Sequence, residues 1–239
     1  MKVSVILPAA GLGTRMRAAA EGTGTSRKQF MLLEGVPILI HTVRKFVASH
    51  HVSEVVIALR PEDISWVEEM IAHERFPKPV RCVEGGETRQ ESVANALAAL
   101  APDVDLVAVH DAVRPFVSQD IISAAILEAA HHGAAVTGIV PVDTVKQVHR
   151  HVVRGTLNRD RLVLAQTPQV FRAPILREAF ERASQDGFAG TDESSLVERL
   201  ETIEIHVVAG SDRNIKITRP SDMELAELFL SLEREKEAG

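Results

Sequence analysis

Short apolar segments alternate along this chain with segments of helical periodicity, and this alternation restricts the fold more than any other feature of the sequence. The apolar segments are rich in Val and Ile and mostly apolar on both faces, as strands are when helices cover both sides of a sheet. They lie at 2–7, 54–59, 79–83, 105–109, 134–140 and 203–208. The alternation predicts an α/β fold with a mostly parallel sheet and helices on both faces.

The intervening segments repeat apolar side chains at the three- and four-residue spacing of an amphipathic helix. The clearest sets are Leu39, Val43 and Phe46; Ile64, Val67 and Ile71; Val93, Leu97 and Leu100; and Ile122, Ile126 and Ala129. We also expect a helix from about 174 to 185, ending at Gly187, and a last helix that begins at Pro220.

Composition narrows the class of protein. The chain has 239 residues with a net charge of −6 and only 4% aromatic residues, which argues against nucleic-acid partners. One cysteine, Cys82, excludes a disulfide framework and fits a cytoplasmic location. The apolar run 2–10 is shorter than the roughly 20 residues of a membrane span, so no membrane partner is expected. We predict a single domain over 1–239.

One stretch, residues 141–169, breaks the alternation. VKQVHRHVV and RLVLAQ predict two strands joined around Arg154 and Gly155. An isolated hairpin is marginal in water, because it has little core of its own. We therefore expect a protruding β-arm that packs on a second subunit and forms a homodimer.

The loop after the first strand, PAAGLGTRM at 8–16, combines small residues with positive charge. Small residues let backbone N–H groups approach a ligand, and Arg15 and Lys28 add two cations in the same connection. The loop lacks the P-loop pattern and the third glycine of the dinucleotide fingerprint. It predicts a triphosphate cradle, the alternative being a plain strand-to-helix turn.

Three later segments also follow strands or irregular stretches. In GGETRQES, 85–92, Thr88 and Glu91 have capping-box spacing, and the Gly pair and Ser92 could adjoin a flat ligand; capping alone is the alternative. In HDAVRPF, 110–116, Asp111 could hold Mg²⁺ and Arg114 a phosphate, or the two could form a local ion pair. Lys216 precedes the last helix without being needed to start it, although a solvated lysine is possible.

Two histidine pairs, 50–51 and 131–132, fall at predicted helix ends. Histidines there can hydrogen-bond to the last carbonyl groups or interact favourably with the helix dipole. We interpret both pairs in this way rather than as metal ligands.

The motifs of this chain, taken in their order along the sequence, resemble those of the 2-C-methyl-D-erythritol 4-phosphate cytidylyltransferase family, and the resemblance covers nearly the whole chain. The motifs that carry the resemblance are PAAGLGTRM, KQF with GVPILIHT, GGETRQESV, VHDAVRPF, PVDTVK, TPQVF, TDESSLVE and NIKITRP. The resemblance implies a Rossmann-like fold, a homodimer joined through 141–169, and transfer of CMP from CTP to methylerythritol phosphate with release of pyrophosphate. It places this reaction in isoprenoid precursor biosynthesis, and Mg²⁺ is the expected cofactor.

The resemblance also implies roles for single residues. The residues around CTP would be Ala9, Ala10, Gly11, Gly13, Gly86, Glu87 and Ser92. The catalytic cations facing the two polyanions would be Arg15, Lys28, Arg159 and Lys216. Asp111 and Arg114 would face the reaction centre, Asp111 also as the metal ligand, while the methylerythritol phosphate would meet Thr144, Arg159, Thr167, Thr191 and Lys216. Thr144 and Arg159 would come from the other subunit.

The sequence departs from the family pattern at two places, and two alternative functions are considered beside the one that the resemblance implies. EGTGTS lengthens the loop between Arg15 and Lys28, and Glu87 stands where Asp is common. One alternative is a cytidylyltransferase for another polyol phosphate, such as ribitol 5-phosphate. The other is a non-catalytic nucleotide-binding protein on the same fold.

Overall fold

The computed structural model describes residues 1–11 and 27–238, which form a layered α/β fold. The strands are β1 (Val3–Pro8), β2 (Leu32–Leu33), β3 (Val36–Pro37), β4 (Glu54–Leu59), β5 (Val80–Glu84), β6 (Leu106–Val109), β7 (Ala134–Ile139), β8 (Lys146–His149), β9 (Val152–Thr156), β10 (Leu164–Arg172) and β11 (His206–Ala209). The helices are α1 (Ile38–Val47), α2 (Pro61–Glu74), α3 (Arg89–Ala98), α4 (Gln119–His132), α5 (Ala173–Gln185), α6 (Glu193–Val197) and α7 (Pro220–Ala238).

The main sheet has the strand order β11–β7–β10–β6–β1–β4–β5 in the described part of the chain. Neighbouring strands are parallel except at β10, which runs antiparallel to both β6 and β7. The predicted α/β class with a mostly parallel sheet is confirmed, and all six predicted strands are present with small shifts at their ends.

Helices cover both faces of this sheet, as expected. On one face α1, α2 and α4 pack against alternate side chains of β1 and β4, around Phe46 and Leu39. On the other face α3, α5 and α6 pack around Phe171, Leu97 and Leu176. A third cluster joins α7 to Leu33 of β2, to the start of α1 and to the segment that follows β6, so the C-terminal helix packs outside the main sheet.

The strand β10 corrects the predicted extent of the arm. Residues 164–169 belong to the main sheet, where Leu164 pairs with Ile139 and Gln169 pairs with Val109, not to the excursion 141–169. The sequence of 164–169 does not predict a strand of the buried main sheet, because Gln166, Thr167 and Gln169 are polar. All three are nonetheless buried, and each forms side-chain hydrogen bonds.

The arm is a hairpin of β8 and β9, and its turn lies at Arg150 and His151 rather than at Arg154 and Gly155. Arg150 and His151 have φ values of 49° and 63°, the left-handed values that a two-residue hairpin turn requires. Gly155 instead pairs with Gln147 within the ladder. Nearly every residue of the hairpin is exposed, so the arm protrudes and adds no core of its own.

The strand order places one crevice at the carboxyl edge of the sheet. The chain runs outward from β1 to β4 and β5, then crosses back to β6 on the other side of β1. At such a reversal the loops after adjacent strands diverge and leave room for a ligand. None of the helices among residues 27–238 has the length and hydropathy that a membrane span requires.

Candidate active site

A cavity of about 200 Å³ lies at this reversal, beyond the carboxyl ends of β1, β5 and β6. The residues that line it are Pro8, Ala9, Ala10, Gly11, Lys28, Gln29, Gly86, Glu87, Thr88, Arg89, Ser92, Asp111, Ala112, Val113 and Lys216. They come from five segments of the sequence, at 8–11, 28–29, 86–92, 111–113 and 216. The cavity therefore unites most of the residues that the sequence singled out.

One wall is the start of the first loop, held by a buried glutamine. The Gln29 side-chain amide donates to the carbonyl groups of Ala9 at 2.6 Å and Gly11 at 3.2 Å. The short 3₁₀ turn Lys28–Phe30 is thereby tied to the end of β1. Lys28 lines the cavity next to Gln29, so the Gln29 side chain links the start of the loop to a predicted catalytic cation.

The opposite wall is the turn from β5 into α3. Thr88 and Glu91 form the predicted capping box. The buried Ser92 hydroxyl accepts a hydrogen bond from Gly86 N–H at 3.1 Å and donates one to the Thr88 carbonyl at 2.8 Å. A Cβ on Gly86 would lie 2.3 Å from Glu91 Cβ. Packing and capping thus explain Gly86 and Ser92, whose contact with a ligand stays a prediction.

Asp111, two residues after the end of β6, is a buried carboxylate surrounded by cations. Its Oδ2 lies 2.8 Å from Lys216 Nζ and 3.4 Å from Arg114 Nε, and its Oδ1 lies 3.3 Å from Arg89 Nε. Burial alone would raise the pKa of Asp111, but Lys216 and Arg89 hold it well below its usual range. The carboxylate is therefore ionised and pairs with three basic side chains, of which Lys216 and Arg89 line the cavity.

Arg89 also connects Asp111 to Glu193, the first residue of α6. Two of its guanidinium nitrogens bond both Glu193 carboxylate oxygens, at 2.7 and 2.9 Å. The Glu193 side chain is only 1% exposed. Burial alone would lower the pKa of Arg89, but Glu193 and Asp111 raise it, so the guanidinium is charged. Burial raises the pKa of Glu193, although the charge of Arg89 opposes that rise.

Arg89 and Glu193 are not among the site residues that the sequence predicts. Each residue directly follows a helix N-cap, Thr88 or Asp192. Opposite charges in the first turns of two helices, each at the carboxyl edge of the sheet, are the signal that could have paired them.

The backbone of the Asp111 loop is held by a chain of buried hydrogen bonds. Asp111 N–H donates to Thr167 Oγ1 at 3.0 Å, and the Thr167 hydroxyl lies 3.0 Å from His110 Nδ1. His110 Nε2 lies 3.1 Å from the Arg114 carbonyl, which can only accept, so Nε2 carries the proton and Nδ1 accepts from Thr167. His110 is thus neutral and spans both ends of the loop.

Several predicted site residues lie outside the cavity lining. Arg114 packs beside it, its guanidinium donating to the Asn214 carbonyl at 2.6 Å. Thr167 is buried, with its hydroxyl engaged as described. Thr144 and Thr191 are exposed, as is Arg159, whose guanidinium donates to the Val142 carbonyl at the base of the arm. Gly13 and Arg15 lie outside the described residues.

The surroundings of Asp111 bear on its predicted role as a metal ligand. Both of its oxygens already face basic groups, and a divalent cation placed there would be repelled by Lys216, Arg89 and Arg114. The described residues around Asp111 therefore do not make a Mg²⁺ site on their own.

Neutral His110 makes stability depend on pH. Burial lowers its pKa to about 4, against 6.5 in an unfolded chain. Between these values the unfolded chain binds a proton that the folded chain does not, so lowering the pH from 6.5 to 4 should cost about 3 kcal/mol. Urea unfolding of wild type and His110→Asn across this range should show a flatter profile for the variant.

The exposed arm residue His149 supplies the control, because His149→Ala should keep the wild-type profile. If His110→Asn does not fold, NMR titration of the wild type replaces it. A His110 pKa near 6.5 would contradict the neutral, buried imidazole.

Comparison with known proteins agrees with the sequence resemblance. Residues 3–232 match the family described as 2-C-methyl-D-erythritol 4-phosphate cytidylyltransferase. A relative of that name from Solibacter usitatus is 65% identical, with 96% of each chain covered. Another from Acidobacterium capsulatum is 49% identical, covering 96% of this chain and 98% of the relative.

Solved structures extend the likeness to three dimensions. The 2-C-methyl-D-erythritol 4-phosphate cytidylyltransferase of Thermus thermophilus is 33% identical, with a TM-score of 0.76. The 4-diphosphocytidyl-2C-methyl-D-erythritol synthase of Anaerococcus prevotii is 29% identical, with a TM-score of 0.83. Each comparison covers 96% of this chain and 98% of the other. Fold, motif order and these identities together show that the chain belongs to the 2-C-methyl-D-erythritol 4-phosphate cytidylyltransferase family.

Proposed function

We propose that this chain transfers a cytidylyl group from CTP to 2-C-methyl-D-erythritol 4-phosphate, forming 4-diphosphocytidyl-2-C-methyl-D-erythritol and pyrophosphate in isoprenoid precursor biosynthesis. The observation that carries the proposal is the cavity at the carboxyl edge, where backbone of small residues faces a cluster of basic side chains. Family membership supplies the identity of the substrates. A cytoplasmic location, expected from the lone Cys82, stays a prediction.

The chemistry needs positioning and charge neutralisation more than a covalent intermediate. A phosphate oxygen of the methylerythritol phosphate attacks the α-phosphorus of CTP, and the bond to the leaving pyrophosphate breaks. Negative charge then increases on the pyrophosphate. Lys28 and Lys216 border the space where these phosphates would lie, and preorganised cations stabilise such charge without moving.

The nucleotide would lie between the two loop walls. Ala9, Ala10 and Gly11 form one wall and Gly86 with Glu87 the other. A Cβ on Gly85 would lie 2.8 Å from Ala10 Cβ, so the two walls approach closely at their base. Such a narrow slot suits a flat pyrimidine whose polar edge hydrogen-bonds to backbone groups. A base with a different edge would leave a buried backbone group without a hydrogen bond, and this loss would discriminate strongly against it.

Mg²⁺ is proposed to enter with the triphosphate rather than to occupy a protein cage. Phosphate oxygens are the ligands that this hard cation prefers, and bound there it would neutralise charge on the leaving group. The cations around Asp111 are consistent with this assignment, because they leave no carboxylate oxygen without a basic neighbour.

The arm is proposed to complete the active site of a second subunit. Val148, Val152 and Val153 on the hairpin are more than half exposed, which suits burial against another chain. Arg159 and Thr144 lie outside the cavity lining of their own chain. A homodimer in which each arm reaches the partner's cavity would give both residues the phosphate contacts that the family resemblance implies.

The direct test is a substrate screen that measures pyrophosphate release. We expect turnover with CTP and methylerythritol phosphate, little with UTP, and little with ribitol 5-phosphate. Lys28→Ala should lower kcat by about 10²-fold or more, with a smaller change in the KM for CTP, because the cation acts mainly in the transition state.

Lys45→Ala is the matched control, because Lys45 pairs with Glu233 at 2.8 Å outside the cavity. Its kcat should stay within about twofold of wild type. Preferential turnover of ribitol 5-phosphate would reassign the substrate, and no pyrophosphate release with any alcohol phosphate would reject the enzymatic function. An effect of Lys28→Ala on KM alone would reject the catalytic role of Lys28.

The shared-site arrangement predicts complementation between inactive variants. Arg159→Ala should weaken methylerythritol phosphate binding while CTP binding stays near normal, because a guanidinium fork suits a phosphate monoester. When the Arg159→Ala and Lys28→Ala proteins are mixed and their subunits have exchanged, the mixture should recover about a quarter of wild-type activity. Half of the randomly paired dimers would be mixed, and each would hold one intact site out of two.

Arg154→Ala, which removes another exposed arginine of the arm, is the control and should remain active. Exchange is verified by co-purification of differently tagged chains. Confirmed exchange without recovered activity would show that Arg159 serves its own chain.

A further inference from the structure

A second cluster of ligand-type side chains lies at the opposite edge of the sheet from the cavity. Glu128 and His132 are in the last turns of α4, and His206 begins the strand β11. His206 pairs with Ala135 at the amino end of β7, whereas the cavity lies at the carboxyl ends of the strands. Within the described residues these three side chains bring one donor atom each to within 4.8 Å of one another.

Local structure explains why the three side chains meet. Glu128 and His132 are four residues apart on α4, so they share one face of the helix. The parallel pairing of β11 with β7 brings His206 beneath that helix end. Glu128 Oε1 lies 3.0 Å from His206 Nδ1 and 3.5 Å from His132 Nε2.

We propose that Glu128, His132 and His206 form a binding site for a divalent transition-metal ion of the zinc class. Ligand atoms at the zinc bond lengths of proteins are about 3.4 Å apart in a tetrahedral site. The two distances from Glu128 Oε1, 3.0 and 3.5 Å, bracket that value. Two imidazoles and one carboxylate supply three ligands, and water would supply the fourth.

Binding requires one local rearrangement. The His132 and His206 rings are stacked, with centroids 3.6 Å apart and planes 13° from parallel. In-plane nitrogen lone pairs of stacked rings run side by side, so the rings must rotate apart to converge on one ion. Each of the three side chains is about one-third exposed, which leaves space on the solvent side for that rotation.

The donor set distinguishes this site from the proposed catalytic one. Imidazole nitrogen favours zinc, nickel or copper, whereas Mg²⁺ favours oxygen ligands. An ion here would link the end of α4 to the edge strand β11. It would stabilise that edge of the sheet and leave the catalytic cavity untouched.

The test is calorimetric titration of untagged protein with ZnCl₂, followed by melting curves with and without zinc. We expect one ion per chain, and a rise in melting temperature of about 5 °C at about 100 µM zinc. Millimolar Mg²⁺ should not displace the ion. His132→Ala and His206→Ala should each weaken binding by at least about tenfold, while pyrophosphate release keeps its wild-type rate.

His131→Ala is the matched control, because His131 adjoins the cluster without belonging to it. It should bind zinc like wild type. Circular dichroism establishes that each variant folds. The visible spectrum of the Co²⁺ complex is a second measurement on the wild type, and we expect the absorption bands of a tetrahedral site. Absence of zinc binding at about 100 µM, or binding unchanged by His206→Ala, would overturn the proposal.

Discussion

The buried ion pairs of Asp111 are the interaction on which the candidate site depends. Lys216, Arg89 and Arg114 reach this one carboxylate from three different segments of the chain. Desolvating so many charges is costly, and removing one partner of a buried pair typically costs about 3–5 kcal/mol. We infer that such a cluster is retained because it presents basic side chains in fixed positions, which is what phosphate chemistry requires.

The sheet and its flanking layers place that cluster at a ligand-sized opening. β6 ends just before His110 and Asp111, and the neighbouring β1 ends at the small residues of the first loop. The turn that carries Asp111 is fixed because the Asp111 N–H donates to Thr167, Thr167 bonds to His110, and His110 bonds to the Arg114 carbonyl. The third apolar cluster packs α7 beside this turn and includes Ile217, the residue after Lys216.

Patterns that are local in sequence allowed much of this arrangement to be predicted. Strand 54–59 was predictable because it is apolar on both faces, and the helix at 89–98 because Thr88 and Glu91 cap it. The place of β10 in the main sheet was not predictable, because its buried side chains are partly polar and find partners far along the chain. The sequence predicts a strand at RLVLAQ but assigns it to the arm. The contact of Arg89 with Glu193 spans 104 residues, so predicting it requires both helix starts to be placed at the carboxyl edge of the sheet first.

A double-mutant cycle on kcat/KM for the alcohol phosphate tests most directly whether Asp111 acts by holding Lys216 in place. Asp111→Asn and Lys216→Met should each cost about 10²-fold, and the double variant little more than either, because both changes remove one shared arrangement. If the two residues acted independently, their two fold-losses in kcat/KM would multiply. A double variant about 10⁴-fold below wild type would contradict the account.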